Sequence, residues 1–332
     1  MKQNNSFQEI YDKLKKSKKV LLTLHSSPDG DSLGSCSAMK YALEKLGKEV
    51  KIISYDNLSK NLMEFYFTKE VDFGVDIEDV DLRDFDVLIA LDTSSENLIC
   101  KGKEEYKLSK NNFVINIDHH ETNVFFGDMN YVDARKTSAC SILLEFFESM
   151  DFEIDGELST RLLLGVCTDS GFFRTRHADF ALKDAAKLIK KGGDYYFILS
   201  SVLFKERLDL KKFFGVVIDC LKFDKKRKLG YSLITYDKIK DFDLNPPEIR
   251  LGINEIMNIE EFDFVLTLIY IKNSIKGSFR SVKGVDTSLF SKELGGGGHK
   301  AASGFQLENM NLEQAKNRVF EVIDEVGIHK EI

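Results

Sequence analysis

Tryptophan is absent from this 332-residue chain and proline occurs only 3 times. Neither scarcity assigns a function. Other absences exclude more. The 5 cysteines (Cys36, Cys100, Cys140, Cys167 and Cys220) are odd in number, scattered, and form no CxxC pair. That excludes a disulfide framework or zinc knuckle and reads as reduced thiols in a core, hence a cytoplasmic protein. No basic excess is present: 54 acidic residues face 47 basic ones, for a formal net charge of -7. Proteins that coat long nucleic acids are usually basic. The balance therefore argues against extended backbone binding, but not against a short anionic substrate held by metals and a few local cations. No apolar run reaches membrane-spanning length, and residues 1–19 lack a signal-peptide core. That N-terminal stretch reads as an amphipathic helix with Phe7, Ile10, Tyr11 and Leu14 on one face and its lysines in solvent. No membrane partner is expected.

What is present is ordinary in bulk and specific in detail. Hydrophobic residues make up 43% and charged residues 30%, typical of a soluble globular protein, and the length suggests two domains. The most informative stretch is LLTLHSSPDGDSLG, residues 21–34. A short apolar strand, 20–24, ends in His25; a Pro-Asp-Gly turn follows; a helical pattern then begins at Asp31. His25, Asp29 and Asp31 thus leave the carboxyl end of a strand together, the edge where open α/β sheets bind ligands. One imidazole and two carboxylates suit Mn²⁺, Mg²⁺ or Zn²⁺. A calcium EF-hand loop is excluded, because its fifth and twelfth positions would be Leu33 and Lys40. A bare turn capped by Asp31 would explain this stretch in isolation.

Later clusters argue against the bare turn. Strands are expected at 49–54, at 85–91 ending in Asp92, and at 113–117 ending in Asp118-His119-His120. A further apolar stretch, 158–167, is read as a strand ending before Asp169, with a helix over 137–150 between. Parallel strands bring such ends to one edge, so His25, Asp29, Asp31, Asp92, Asp118, His119, His120 and Asp169 are expected to share one metal site. The carboxylates suffice for two cations, and paired divalent ions stabilise both attacking and leaving oxygens in displacement at phosphorus. His120-Glu121 begins an HExxH motif, but position 124 is Val, so a zincin is excluded. No G-x-S-x-G is present to support a serine triad.

A helical region with polar breaks follows, and then strands at 229–235, 262–271, 275–281 and 302–307, with helices over 286–294 and 312–326. This second part reads as a small α+β unit. Its glycine run, 295–298, is followed by His299 and Lys300 and fails the Walker pattern at Lys300 and Ala301. Between a helix and a strand, its backbone N–H groups could cradle a phosphate. Arg280 at the end of a strand can hold phosphate bidentately or make a surface ion pair. Arg174 and Arg176, beside Phe172 and Phe173, could hold a base or phosphate at the rim, at least one Phe serving the core instead. His177 and His329 have no assigned role.

HSSPDGDSLGS, Asp92, Asp118-His119-His120, TDSGFFR and GGGGH, in that order over almost the whole chain, resemble the DHH phosphoesterase family with its DHH-associated C-terminal domain. The arrangement is most similar to the stand-alone nano-RNase and pAp phosphatase branch. The resemblance implies a doubly wound parallel-sheet domain over 1–185, a helical connection over 186–214 and a smaller α+β substrate-binding domain over 215–332. It implies two Mn²⁺ ions, or Mg²⁺ in their place. His25, Asp29 and Asp92 would hold one, and Asp31, Asp92, His119 and Asp169 the other. His120 would face the scissile phosphate and Asp118 would orient a histidine. Arg280, Ser281, Gly296, Gly297, Gly298 and His299, with Arg174, would bind substrate, and Arg280 and His299 would assist catalysis. The implied reaction is hydroxide attack on very short oligoribonucleotides and linear dinucleotides such as pApA, with pAp as a second substrate. A homodimer is compatible with the resemblance. The alternatives are a cyclic di-AMP phosphodiesterase, a pyrophosphatase or exopolyphosphatase, and a catalytically idle nucleotide-binding module.

Overall fold

Two units divide the chain, Met1–Lys205 and Glu206–Ile332. The computed structural model describes residues 4–101, 108, 112–175, 178–205, 207–244, 246–271 and 274–328. Arg176, His177 and His329 lie outside the described residues.

The first unit opens with helix α1 (Phe7–Lys16), started by a reciprocal capping box between Ser6 and Glu9. Then come β1 (Lys19–Thr23), α2 (Gly30–Lys45), β2 (Glu49–Ser54), β3 (Val71–Phe73), β4 (Val87–Leu91), β5 (Val114–Asp118) and β6 (Met129–Val132). Four helices complete it: α3 (Ala139–Ser149), α4 (Gly156–Asp169), α5 (Ala178–Lys190) and α6 (Tyr195–Leu203). The strands form one sheet in the order β3-β2-β1-β4-β5-β6, with every pair parallel. Every residue of β4 and β5 is buried, as in sheets covered on both faces. The chain winds outward in both directions from β1, so the order reverses between β1 and β4. This is the expected doubly wound sheet.

One expected strand is a helix. Residues 158–167 form most of α4, capped by the Asp155 side chain. All ten of these residues are buried, Arg161 included. A helix buried all round shows no polar face, so its sequence lacks the 3.6-residue period that would distinguish it from a strand. The strands β3 and β6 were not expected; they are 3 and 4 residues long and lie at the sheet edges. The edge of β6 is covered by Asn4 and Asn5: the Asn4 amide bonds both the N–H and the carbonyl of Val132.

The second unit contains α7 (Leu208–Asp219), β7 (Leu221–Asp224), β8 (Leu229–Ile234), α8 (Pro246–Leu251), β9 (Phe264–Ile271), β10 (Ser274–Ser281), α9 (Thr287–Glu293), β11 (Gly297–His299), β12 (Ala302–Glu308) and α10 (Leu312–Val326). Of the segment 186–214, the end of α5 and all of α6 belong to the first unit, and α7 starts the second. The sheet runs β11-β12-β10-β9-β8-β7, antiparallel except for β8 beside β9. On β9, Phe264, Leu266 and Leu268 join the core with α10, while Val265 and Ile269 join a second core with Phe213 and Val217 of α7. On β10, Ile275 and Phe279 face the α10 core. Lys276, Ser278 and Arg280 alternate to the opposite face and remain half-buried.

No helix among the described residues is long and apolar enough to cross a membrane.

The buried Arg161 ties α4 to its surroundings. It pairs with Glu70 and Glu157 at 2.7 Å each, donates to the Ser37 carbonyl of α2, and packs over the Phe67 ring. Truncation removes both the charge pairing and the packed stem, so Arg161→Ala is expected to cost about 3 kcal/mol. A denaturant-unfolding midpoint matching the parent chain's would exclude this role.

Candidate functional site

Three strands of the first sheet end in chemistry-bearing residues. Beyond β1 lies His25, beyond β4 Asp92, and β5 runs into Asp118-His119-His120. Asp169 reaches the same place as the last residue of helix α4. Asp29 caps α2, its Oδ1 accepting from Asp31 N and Ser32 N at 3.0 Å each. Asp31, in the first turn of α2, is fully buried. Its two carboxylate oxygens accept from Ala139 N at 2.6 Å and Cys140 N at 3.0 Å, at the N-terminus of α3. Gly165 of α4 makes room for it: a Cβ there would lie 2.2 Å from Asp31 Oδ1 and 2.4 Å from Cys140 Sγ. Asp92 leaves β4 with φ +54, a strained left-handed conformation for a residue with a side chain.

The ligand-capable atoms converge in overlapping groups. His25, Asp29 and Asp92 form one; Asp31, Asp92, His119 and Asp169 form a second; Asp92, Asp118, His119 and His120 form a third. Within each group the atoms lie within 4.8 Å of one another, and Asp92 belongs to all three. His25 Nε2 is 3.3 Å from Asp92 Oδ2, and His119 Nε2 is 3.3 Å from Asp92 Oδ1 and 3.1 Å from Asp169 Oδ2. Yet Asp92 Oδ1 and His119 Nε2 are buried and make no hydrogen bond. Orphaned buried polar atoms are rare and costly. At about 3 Å apart they match neighbouring ligands on an ion whose bonds are about 2.1 Å. The donor set, carboxylates with imidazole, fits a divalent cation and supplies enough negative charge for two.

Second contacts fix the ring orientations. His25 Nδ1 donates to the Ser26 carbonyl at 2.8 Å, which leaves Nε2 for the site. His120 Nδ1 lies 2.7 Å from Asp118 Oδ1. The Asn123 amide donates to Asp118 Oδ2 at 2.6 Å, Asn116 Oδ1 at 2.9 Å and the Thr93 carbonyl at 3.1 Å. Sequence reasoning missed Asn116 and Asn123. An Asn inside the apolar strand run VINID was a usable signal, since a buried amide needs partners.

The charge balance follows from this packing. Burial, with the charges of Asp92 and Asp169, raises Asp31 well above the usual carboxylate range. Burial raises Asp169 to about 6, His119 pulling it down and Asp92 and Asp29 pushing it up. Burial opposes protonation of His25 and His119, but neighbouring carboxylates outweigh it and lift both to about 11. Hydrogen bonding to Asp118 raises His120 against burial. Burial works against an ionised Asp118, and hydrogen bonds from His120 and Asn123 more than compensate.

The remaining expected site residues fall in two places. Arg174 follows a left-handed turn, Gly171, Phe172 and Phe173 having φ 55, 55 and 68. Its Nε donates to the Gly171 carbonyl at 2.7 Å, while both phenylalanines pack against the first unit's core. In the second unit, β12 register places Ala302 opposite both Arg280 and His299, so these two share a face. Gly297 is open, Gly298 has φ 135, and a Cβ on Gly296 would meet the Gly304 carbonyl at 2.1 Å. Ser281 is not brought to that face: it is buried and its hydroxyl accepts from Val285 N.

Divalent ions bind neutral imidazole and ionised carboxylate, so loading the site must expel protons from His25 and His119. At pH 7.5, calorimetric titration of chelator-treated protein is expected to show net proton release on loading, read from buffers of different ionisation enthalpy. Both histidines hold protons more tightly folded than unfolded. Their stabilisation of the metal-free protein is complete below the unfolded value of about 6.5 and fades as pH rises toward about 11. Chelated protein should therefore lose melting temperature between pH 6.5 and 9, and a divalent ion should remove that slope. Buffer-independent heats would show that both rings are already neutral.

Family models match both units: the DHH family N-terminal domain over residues 19–167 and the DHHA1 domain over 229–326. The chain is 28% identical to the bifunctional oligoribonuclease and PAP phosphatase NrnA of Thermus thermophilus, covering 92% of this chain and 89% of that protein. Its fold is similar to that of an exopolyphosphatase-related protein from Bacteroides fragilis, with a TM-score of 0.80, 22% identity, and 96% and 95% of the two chains covered. The fold of an exonuclease RecJ bound to manganese also matches, at a TM-score of 0.53 and 15% identity over 96% and 94% of the chains. The chain belongs to the DHH family of phosphoester hydrolases, with a DHHA1 domain as its second unit.

Proposed function

We propose that this protein hydrolyses very short oligoribonucleotides and linear dinucleotides to mononucleotides, and pAp to AMP, with two Mn²⁺ ions. The observation that carries the reading is Asp92, whose two carboxylate oxygens approach His25 on one side and His119 on the other. The similarity to a bifunctional oligoribonuclease and PAP phosphatase supports the substrate class. Manganese in the related RecJ fold supports the choice of ion. The net charge of -7 favours short substrates over long strands, whose binding draws on many phosphate contacts. The free, buried cysteines suit the cytoplasm.

In this reading His25, Asp29 and Asp92 hold one ion, and Asp31, Asp92, His119 and Asp169 hold the other. The bound ions supply Lewis acidity toward phosphate oxygen and lower the pKa of water. Asp118 keeps a proton on His120 Nδ1, so that Nε2 is the atom turned to substrate. The raised basicity of His120 keeps that ring able to donate to the leaving oxygen. Asn123 and Asn116 hold Asp118 in place. Arg280, His299 and the open glycine backbone grip a terminal phosphate of the substrate, and Arg174 adds a cation in the first unit.

The test is Mn²⁺-supported turnover on pApA, an RNA trimer, an RNA of about 24 nucleotides, pAp, cyclic di-AMP and pyrophosphate. Fast mononucleotide release from dimer and trimer, with a slow long RNA, is the expected pattern. Cleavage of pyrophosphate alone would replace this reading with the pyrophosphatase class. Asp92→Asn should abolish Mn²⁺-dependent turnover. His120→Ala should lower kcat by about 10²–10⁴ while leaving Mn²⁺ affinity within a few-fold.

A further inference from the structure

The face of the second sheet that carries Arg280 and His299 also carries a cavity. Strand register arranges this face in rows. Val265, Arg280, Ala302 and His299 form one row; Thr267, Ser278, Gly304 and Gly297 the next; Ile269, Lys276 and Gln306 the third. The middle row has two glycines and a serine, so it leaves a low shelf beside the taller side chains. At the third row, against helix α8, lies a cavity of about 280 Å³. Ile249 of α8, Ile269 of β9, Lys276 and Ser278 of β10, and Gly304 and Gln306 of β12 line it. The volume falls just below the range of drug-sized sites, which suits one ring system rather than a dinucleotide. Lys276 is half-buried and makes no ion pair among the described residues. The Gln306 amide nitrogen is committed to Glu308, which leaves its oxygen as an acceptor.

We infer that this cavity seats the nucleobase of the nucleotide whose phosphate Arg280 and His299 hold, and that Lys276 makes it select purines. This rests on the substrate class proposed above. Successive rows are about 7 Å apart along a strand, so the shelf begins one row from the clamp and the cavity two. That is a reach a single nucleotide spans from phosphate to base. The isoleucine wall and the flat glycine step accept a planar, largely apolar ring face. The ammonium of Lys276 donates to purine N7, an acceptor that both adenine and guanine present and pyrimidines lack. Gln306 Oε1 accepts from an exocyclic amine. Among the described residues that line the cavity Lys276 alone is charged, so base choice falls to it.

The test is calorimetric binding of GMP, AMP, CMP and UMP to the full chain with chelator present, together with hydrolysis of the corresponding dinucleotides in Mn²⁺. Purine nucleotides should bind about tenfold more tightly than pyrimidines. Lys276→Ala should reduce that ratio to near one, and Lys276→Arg should keep it. Gly304→Leu should weaken all four nucleotides; its Cβ would press on the Gly277 carbonyl at 3.3 Å, so an unchanged circular-dichroism spectrum and melting temperature are required alongside the weaker binding. Equal binding of the four bases, or a purine preference that survives Lys276→Ala, would overturn the inference. Purine-selective binding with no hydrolysis of any dinucleotide would instead overturn the proposed substrate class and leave the base seat standing.

Discussion

Mutual repulsion among buried carboxylates is the constraint around which the first unit is built. Asp31 is fully buried, Asp92 is 3% exposed, and Asp169 lies within reach of both through His119. A cluster of this kind costs free energy unless cations enter it. The surrounding fold lowers that cost without removing it. The N-terminus of α3 donates two backbone N–H groups to Asp31, and two histidines take up protons. Asp92 Oδ1 and His119 Nε2 still have no partner. The site is therefore preorganised for positive charge, and the left-handed backbone at Asp92, at the end of a strand paired on both sides, adds a further strain.

This constraint explains which parts of the fold could be read in the sequence. Strands β1, β4 and β5 were legible because each is an apolar run stopped abruptly by His or Asp, and a parallel sheet must gather those stops. Strand β10 and helix α10 were legible because one face alternates or repeats, and β9 because it is an apolar run buried on both faces. Helix α4 was not. It threads between α2, α3 and α5 with no polar face, and its close approach to α2 depends on Gly165, whose role appears only when Asp31 is seen across from it. Strands β3 and β6 are too short for any period. The polar scaffold of Asn116, Asn123 and Asp118 left one trace, the Asn inside VINID, because hydrogen bonds between residues 5 to 30 positions apart follow from the fold and not from a motif.

Ser281 and Arg280 show the same limit at the scale of one residue. They are adjacent in sequence, so a motif treats them as one feature. In a strand they point to opposite faces. Arg280 stays on the open face, and Ser281 turns inward and closes the turn to Val285. The glycine run divides similarly. Gly296 is packed against the backbone of β12, while Gly297 faces open space and pairs with Gly304 across the shelf. The glycines thus serve sheet closure and clearance together.

The two units contribute different physical resources. The first supplies dense, buried negative charge that is useful only with cations present, and holds it with helix termini, a buried arginine and amide networks. The second supplies a partly open sheet face with Arg280, Lys276 and His299 in fixed register, and a floor kept low by glycine. In the proposed reading the second unit's cations sit on a few residues of one small sheet rather than along an extended basic surface, which suits a short anionic substrate better than a long strand.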